Sequence, residues 1–122
     1  MTDEKLKFGF YWAASCGGCE IAVLDIDEKI LDVAGAADIL FWPVAIDTKY
    51  SDVEAMPDGH MDVCFFNGAV RTSEQEELAH LLRKKSKVLV AFGSCATTGG
   101  IPGLANLSNR EKVFETAYLD NP

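Results

Sequence analysis

Residues 7–20 read Lys7-Phe8-Gly9-Phe10-Tyr11-Trp12-Ala13-Ala14-Ser15-Cys16-Gly17-Gly18-Cys19-Glu20. The aromatic run Lys7 to Ala14 is a strand, and a glycine–cysteine turn ends it. Apolar positions then recur at Val23, Ile26, Ile30, Val33 and Ala37, spaced 3, 4, 3 and 4. That is one face of an amphipathic helix, with Gly35 as its stop signal. A strand leading through a tight turn into a helix is the opening unit of an α/β fold.

The same alternation continues. Asp38 to Ile46 is expected as a second strand, at a sheet edge or bulged because Pro43 lacks an N–H. Asp47 to Met61 reads as a long loop, with turn chemistry at Pro57-Asp58-Gly59. Asp62 to Asn67 is a third strand, and a helix follows from about Glu74, with Ser73 and Glu76 as a capping box. Acidic residues crowd its start and Arg83, Lys84 and Lys85 its end, as the helix dipole favours. Lys87 to Phe92 is a continuous apolar run, typical of a buried parallel strand. The glycine-rich stretch Gly93 to Gly103 reads as a loop. Ser108 and Glu111 are placed to cap a short last helix through Phe114 and Tyr118. The expected architecture is α/β, an open sheet of about four parallel strands with flanking helices.

The chain has 122 residues, one domain's length, and a net charge of −8. That charge argues against nucleic acid or an anionic membrane as partner, since both need a basic patch. No run approaches the ~18 apolar residues of a membrane span. The first residues lack an export pattern, so the cytoplasm is the expected compartment. There, four cysteines are better read as ligands or reactive thiols than as a disulfide frame.

Cys16-Gly17-Gly18-Cys19 follows the first strand, and Cys95 lies just past the fourth. In a parallel sheet both positions fall on the carboxyl edge, where open α/β sheets bind their ligands. Three readings of the cysteines compete. A thioredoxin-like dithiol leaves Cys95 without a role. Structural zinc wants a second close pair. An iron–sulfur cluster suits separate loops meeting at one edge, and fits best. Gly17, Gly18, Ser94 and Ala96 could offer backbone N–H groups to a sulfur-rich anion. Cys64 lies inside the third strand, roughly 10 Å short of the edge, and reads as a small buried hydrophobe.

Four segments together resemble the small subunit of nickel–iron hydrogenases, of the cytoplasmic methyl-viologen-reducing, deazaflavin-non-reducing type found with heterodisulfide reductase. They are Ser15-Cys16-Gly17-Gly18-Cys19-Glu20, Phe66-Asn67-Gly68-Ala69-Val70, Val90-Ala91-Phe92-Gly93-Ser94-Cys95-Ala96 and Gly99-Gly100-Ile101-Pro102-Gly103-Leu104-Ala105-Asn106. The resemblance implies a flavodoxin-like domain holding the proximal [4Fe-4S] cluster, which takes electrons from a nickel–iron centre in a separate large subunit. It matches Cys16, Cys19 and Cys95 to three cluster ligands. The family's fourth ligand lies in a later Cys-Pro segment, which the 122 residues do not contain. Residues 1–122 are therefore expected to be the N-terminal part of a longer small subunit, truncated before that ligand, and the isolated chain to hold little intact cluster. The related complex I subunit has adjacent cysteines where this chain has two intervening glycines.

The remaining candidates carry bland readings. Glu20 suits the helix dipole as a first-turn acid. Tyr11, Trp12 and Trp42 are expected in the core. The loop Thr48 to Met56 is a candidate partner contact. His60 and His80 lack any acid–nucleophile set, and the glycine-rich stretch matches no Walker or dinucleotide fingerprint.

Overall fold

The computed structural model describes residues 4–120; Met1–Asp3, which belong to the export reading, and Asn121–Pro122 lie outside them. Four strands, β1 (Leu6–Trp12), β2 (Ala37–Phe41), β3 (Met61–Asn67) and β4 (Ser86–Phe92), form one sheet in the order β2-β1-β3-β4. Every neighbouring pair is parallel. This is the flavodoxin-like strand order, with its switch point between β1 and β3.

Side chains alternate across each strand. Register sets Phe8, Phe10 and Trp12 level with Val63, Phe65 and Asn67, and those in turn with Val88, Val90 and Phe92. The result is an aromatic ladder on one face, with Phe65 5.0 Å from Phe10 and 5.6 Å from Phe92. The other face carries Tyr11, Cys64 and Phe66 into the core with Phe41, Val53, Leu78 and Leu82. Crossovers between parallel strands are right-handed. They put the short helices α1 (Gly18–Leu24) and α2 (Ile30–Ala36) over the ladder, and α3 (Tyr50–Glu54) and α4 (Ser73–Lys85) over the core face.

Several local expectations shift. The single helix over Val23–Ala37 is two helices joined by a 3-10 turn, Asp27–Lys29. Asp27 takes φ 54°, a conformation Asp tolerates better than most residues and a helix interior does not contain. α2 passes through Gly35 to Ala36. β2 stops at Phe41, because the backbone turns at Trp42, whose carbonyl accepts from the N–H groups of Ala45 and Ile46. Pro43 therefore lies outside the strand, which is nonetheless at the sheet edge. The expected loop Asp47–Met61 contains α3, whose Val53 is fully buried. The cap of α4 is Thr72 with Gln75, one residue before the expected box. The glycine-rich stretch folds into α5 (Ser94–Thr98) and a 3-10 turn, Pro102–Leu107. The last helix, α6 (Arg110–Tyr118), is capped by Asn109 in place of Ser108.

The amino edge of the sheet is clamped by charge. Asp62 accepts from the Lys7 N–H at 2.8 Å and the Lys87 ammonium at 2.6 Å, and these bonds hold its carboxyl below the usual carboxylate range. Lys85, almost buried, donates to the Met56 carbonyl and to Asp58, anchoring the Pro57–Gly59 turn. Among the described residues, no helix is long and apolar enough to cross a membrane.

Two stability experiments test this core. Leu82 is fully buried under the sheet, so Leu82→Ala should cost about 2–5 kcal/mol in urea unfolding. Burial pushes the Cys64 thiol up to about 12, and burial beside Tyr50 raises the Tyr11 phenol too. The unfolded thiol ionises near 8.5 and the folded one resists. Its contribution is therefore complete below that pH and is lost as pH rises towards about 12. Under reducing conditions, Cys64→Ala should start less stable but lose less between neutral and alkaline pH. Parallel stability curves for the two proteins would refute this.

Candidate metal centre

The site is built where β1 and β4 end. Past Trp12, the chain is tied to β3: Ala13 N donates to Asn67 O at 2.7 Å, and Ala14 and Ala69 exchange N–H bonds at 3.1 and 2.9 Å. Gly68, at φ 109°, permits this clamp; a Cβ there would lie 2.8 Å from the Ala13 and Ala14 backbone. From this fixed point the Cys16–Cys19 turn departs. Gly17 adopts φ 81° and its Cα lies flat on the Trp12 indole, where a side chain would meet ring atoms at 2.5–2.9 Å. Trp12 Nε1 donates to the Ser15 carbonyl at 3.0 Å. Trp12, 39% exposed, is thus a brace for the cysteine turn rather than a core residue. Tyr11 and Trp42 are in the core as expected.

Cys16 is exposed, and its Sγ accepts from the Gly18 N–H at 3.4 Å; the Gly17 N–H goes to Ser15 Oγ. Cys19 is half-buried, and its Sγ occupies the space a Cβ on Gly93 would fill. The turn after β1 and the loop after β4 therefore touch directly. Gly93 has φ 89° and ψ 172°, a region open essentially to glycine alone. Cys95, also half-buried, opens α5, with Ser94 exposed before it and Ala96 half-buried after it. Cys95 Sγ lies against Gly100 and borders a cleft of about 610 Å³ lined by Phe66, Val70, Arg71, Leu89 and Asn106. Among the described residues, no three Cys, His, Asp or Glu side chains stand close enough to hold a metal ion. The two loops meet through Cys19 and Gly93, while Cys95 Sγ lies against Gly100 and Cys16 Sγ near Gly18. Cys64 is fully buried in the core.

Among the described residues, three buried polar side chains at this edge have no hydrogen-bond partner: Glu20, Trp42 and Asn67. Glu20 is 3% exposed, and burial raises its pKa, with the Trp42 indole N–H acting in the opposite sense. Glu20 does stand in the first turn of α1, as the dipole reading expects, but its carboxyl is buried. Asn67 is 1% exposed. Sequence reading placed Asn67 at the edge but had no signal for its isolation, since burial of one strand-end amide leaves no periodic trace. The loop Thr48–Met56 faces inward through Val53 and Met56.

The family model described as NADH ubiquinone oxidoreductase, 20 Kd subunit, matches residues 16–120. The chain belongs to that family. A similar sequence is the iron-sulfur subunit of the F420-non-reducing hydrogenase of Archaeoglobus profundus, 46% identical over 96% of this chain and 37% of the relative. The corresponding F420-non-reducing hydrogenase subunit of Methanothermobacter thermautotrophicus is 41% identical over 97% of this chain and 37% of its own. The chain thus spans little more than a third of the length of these curated relatives. Among solved structures, a chain of the NAD+-reducing [NiFe]-hydrogenase in its H2-reduced state superposes with a TM-score of 0.82. That match is at 26% identity and covers 97% of this chain and 62% of that one. These relatives are named as hydrogenase subunits, and hydrogenases are oxidoreductases.

The contact at Gly93 gives a sharp test. Gly93→Ala adds backbone strain and forces Cys19 aside, and should cost roughly 2–5 kcal/mol in denaturant unfolding. Gly35→Ala, at a helical position with open space around it, should be neutral or stabilise by up to about 1 kcal/mol. Equal, small effects from both would remove the argument that the loops are packed together.

Proposed function

We propose that this chain is the electron-transfer domain of a nickel–iron hydrogenase small subunit, and that Cys16, Cys19 and Cys95 hold the proximal [4Fe-4S] cluster. Residues 1–122 form, on this reading, one flavodoxin-like domain of a longer subunit that works in the cytoplasm. The observation that carries the reading is the packing of Cys19 on Gly93, because it joins the two cysteine loops at the carboxyl edge. The donor set also fits: three thiols on loops of small residues, with the Gly18 N–H already directed at Cys16 Sγ. The named roles of the relatives as hydrogenase subunits support the same assignment.

When bound, the cluster supplies a one-electron relay. The protein's part is to position it and set its potential. Gly17, Gly18, Ser94 and Ala96 lend backbone N–H groups and room for close approach. Trp12 and the Ala14–Ala69 bridge keep the turn after β1 from drifting.

A large hydrogenase subunit carrying the nickel–iron centre is the partner, with subunits linked to heterodisulfide reductase as further candidates. Its docking surface is the carboxyl edge. Exposed apolar side chains collect there from four chain segments: Trp12 ending β1, Val44 after β2, Val70 after β3 and Ile101 after β4. Ile21 on α1 extends the group. The amino edge offers charge clamps instead. An apolar patch within an acidic surface suits a protein partner.

Anaerobic reconstitution with iron and sulfide tests the assignment. The chain should take up iron at less than full cluster stoichiometry, since it offers three thiolates. Cys16→Ser, Cys19→Ser and Cys95→Ser should each lose most of that iron, while Cys64→Ser keeps it. Iron uptake unaffected by Cys95→Ser, together with reduction of insulin disulfides, would instead identify a dithiol oxidoreductase.

A further inference from the structure

Asn67 is the least explained side chain in the molecule. It is 1% exposed, and neither its amide oxygen nor its amide nitrogen has a partner. A buried, unpaired amide is costly, and native structures rarely keep one without a use. Its backbone cannot move to relieve the cost. Asn67 O is fixed by the Ala13 N–H, and Gly68 locks the next residue against the end of β1.

Its position is equally specific. β3 lies between β1 and β4, and Asn67 is level with Trp12 on one side and Phe92 on the other. Those are the last strand residues before the Cys16–Cys19 turn and before Gly93-Ser94-Cys95. Asn67 is thus the strand residue midway between the two cysteine loops. Strand alternation sets its side chain on the face of Phe65, opposite Phe66, which lines the cleft beyond Cys95. That face is the one α1 covers: Gly17 sits on Trp12, and Glu20 lies by Trp42, which stacks on Phe10 at 4.4 Å. The amide is therefore enclosed beneath the cysteine turn.

We infer that the Asn67 side-chain amide donates an N–H to the sulfurs of the group held by Cys16, Cys19 and Cys95, and so raises its reduction potential. The inference rests on the cluster assignment made above. An N–H donor stabilises the extra negative charge of the reduced cluster more than the charge of the oxidised one. Glutamine and lysine at this position would be too long for the enclosed space, and aspartate would present an acceptor to an anion. Asparagine is a short neutral side chain that carries an N–H donor.

A purely structural alternative has a buried water bridging Asn67 to Glu20 or Trp42. The two readings separate in the full chain with Asn67→Leu and Asn67→Asp. Leucine has nearly the same shape and removes both orphaned polar atoms. The Asn67→Leu protein without cluster should melt at the same temperature as the parent or higher. After anaerobic loading, its midpoint in an EPR-monitored redox titration should move to lower potential. Asn67→Asp should also move lower and retain less iron. A loaded Asn67→Leu protein with the parent's potential overturns this inference alone, as does Asn67→Leu melting lower in both forms with no shift in potential. A parent chain that takes up no iron, or whose iron uptake ignores the cysteines, overturns the cluster assignment together with it.

Discussion

Everything at the carboxyl edge hangs on the pairing of β1 with β3, carried past the ends of both strands. Ala13 bonds to Asn67, Ala14 and Ala69 exchange hydrogen bonds, and Gly68 allows the backbones to close. Parallel strands splay apart once their ladder ends unless something holds them. Here the hold falls within two residues of the cysteine turn on one strand and within one of Asn67 on the other. β4, registered on β3 from Met61–Ser86 to Asn67–Phe92, then brings Gly93 to Cys19. The two cysteine loops are neighbours because β3 has both of their strands as its neighbours.

The two edges of the sheet are built from different forces. At the amino edge, Asp62 joins β1, β3 and β4 through Lys7 and Lys87, and Lys85 secures the incoming turn. These bonds fix strand ends without apolar surface. At the carboxyl edge, backbone bonds and glycine contacts do the fixing, and side chains such as Trp12, Val70 and Ile101 remain exposed. A charge clamp there would add fixed charges beside the cysteines. Placing the ionic clamps at the far edge leaves the thiol loops in a setting shaped by N–H groups and burial.

Much of this was legible in the sequence, for identifiable reasons. The inner strands β1 and β3 announce themselves through aromatic runs and α4 through its charge gradient, while the apolar run of β4, expected to be buried, proves to be an edge strand with Val88 exposed. The cysteine turn and Cys95 were readable because chemistry-bearing residues fell at strand ends. The misreadings concern weaker signals. The periodicity from Val23 to Ala37 runs across a break at Asp27: Val23, Ile30 and Val33 are half-buried, Ile26 is exposed, and Ala37 already belongs to β2. Five-residue α3 buries one valine, too few residues for a pattern. Capping boxes at Thr72–Gln75 and Ser73–Glu76 are equally good on paper, and the first is the one that forms. What sequence could not give was direction: that Glu20 turns inward, that Asn67 stands alone, and that Gly93 is shaped around Cys19.

The strand order also sets the order in which this protein can be built. Cys16 and Cys19 emerge early in synthesis, while Cys95 follows almost eighty residues later. β1 can pair with β2 as soon as β2 is made, but its other edge waits for β3, and the contact at Gly93 waits for β4. Closing so long a loop is entropically unfavourable until the β1–β3–β4 ladder rewards it. Cys95 therefore reaches the edge that carries Cys16 and Cys19 only late in folding, and metal offered before β4 has docked would meet a lone Cys-Gly-Gly-Cys turn.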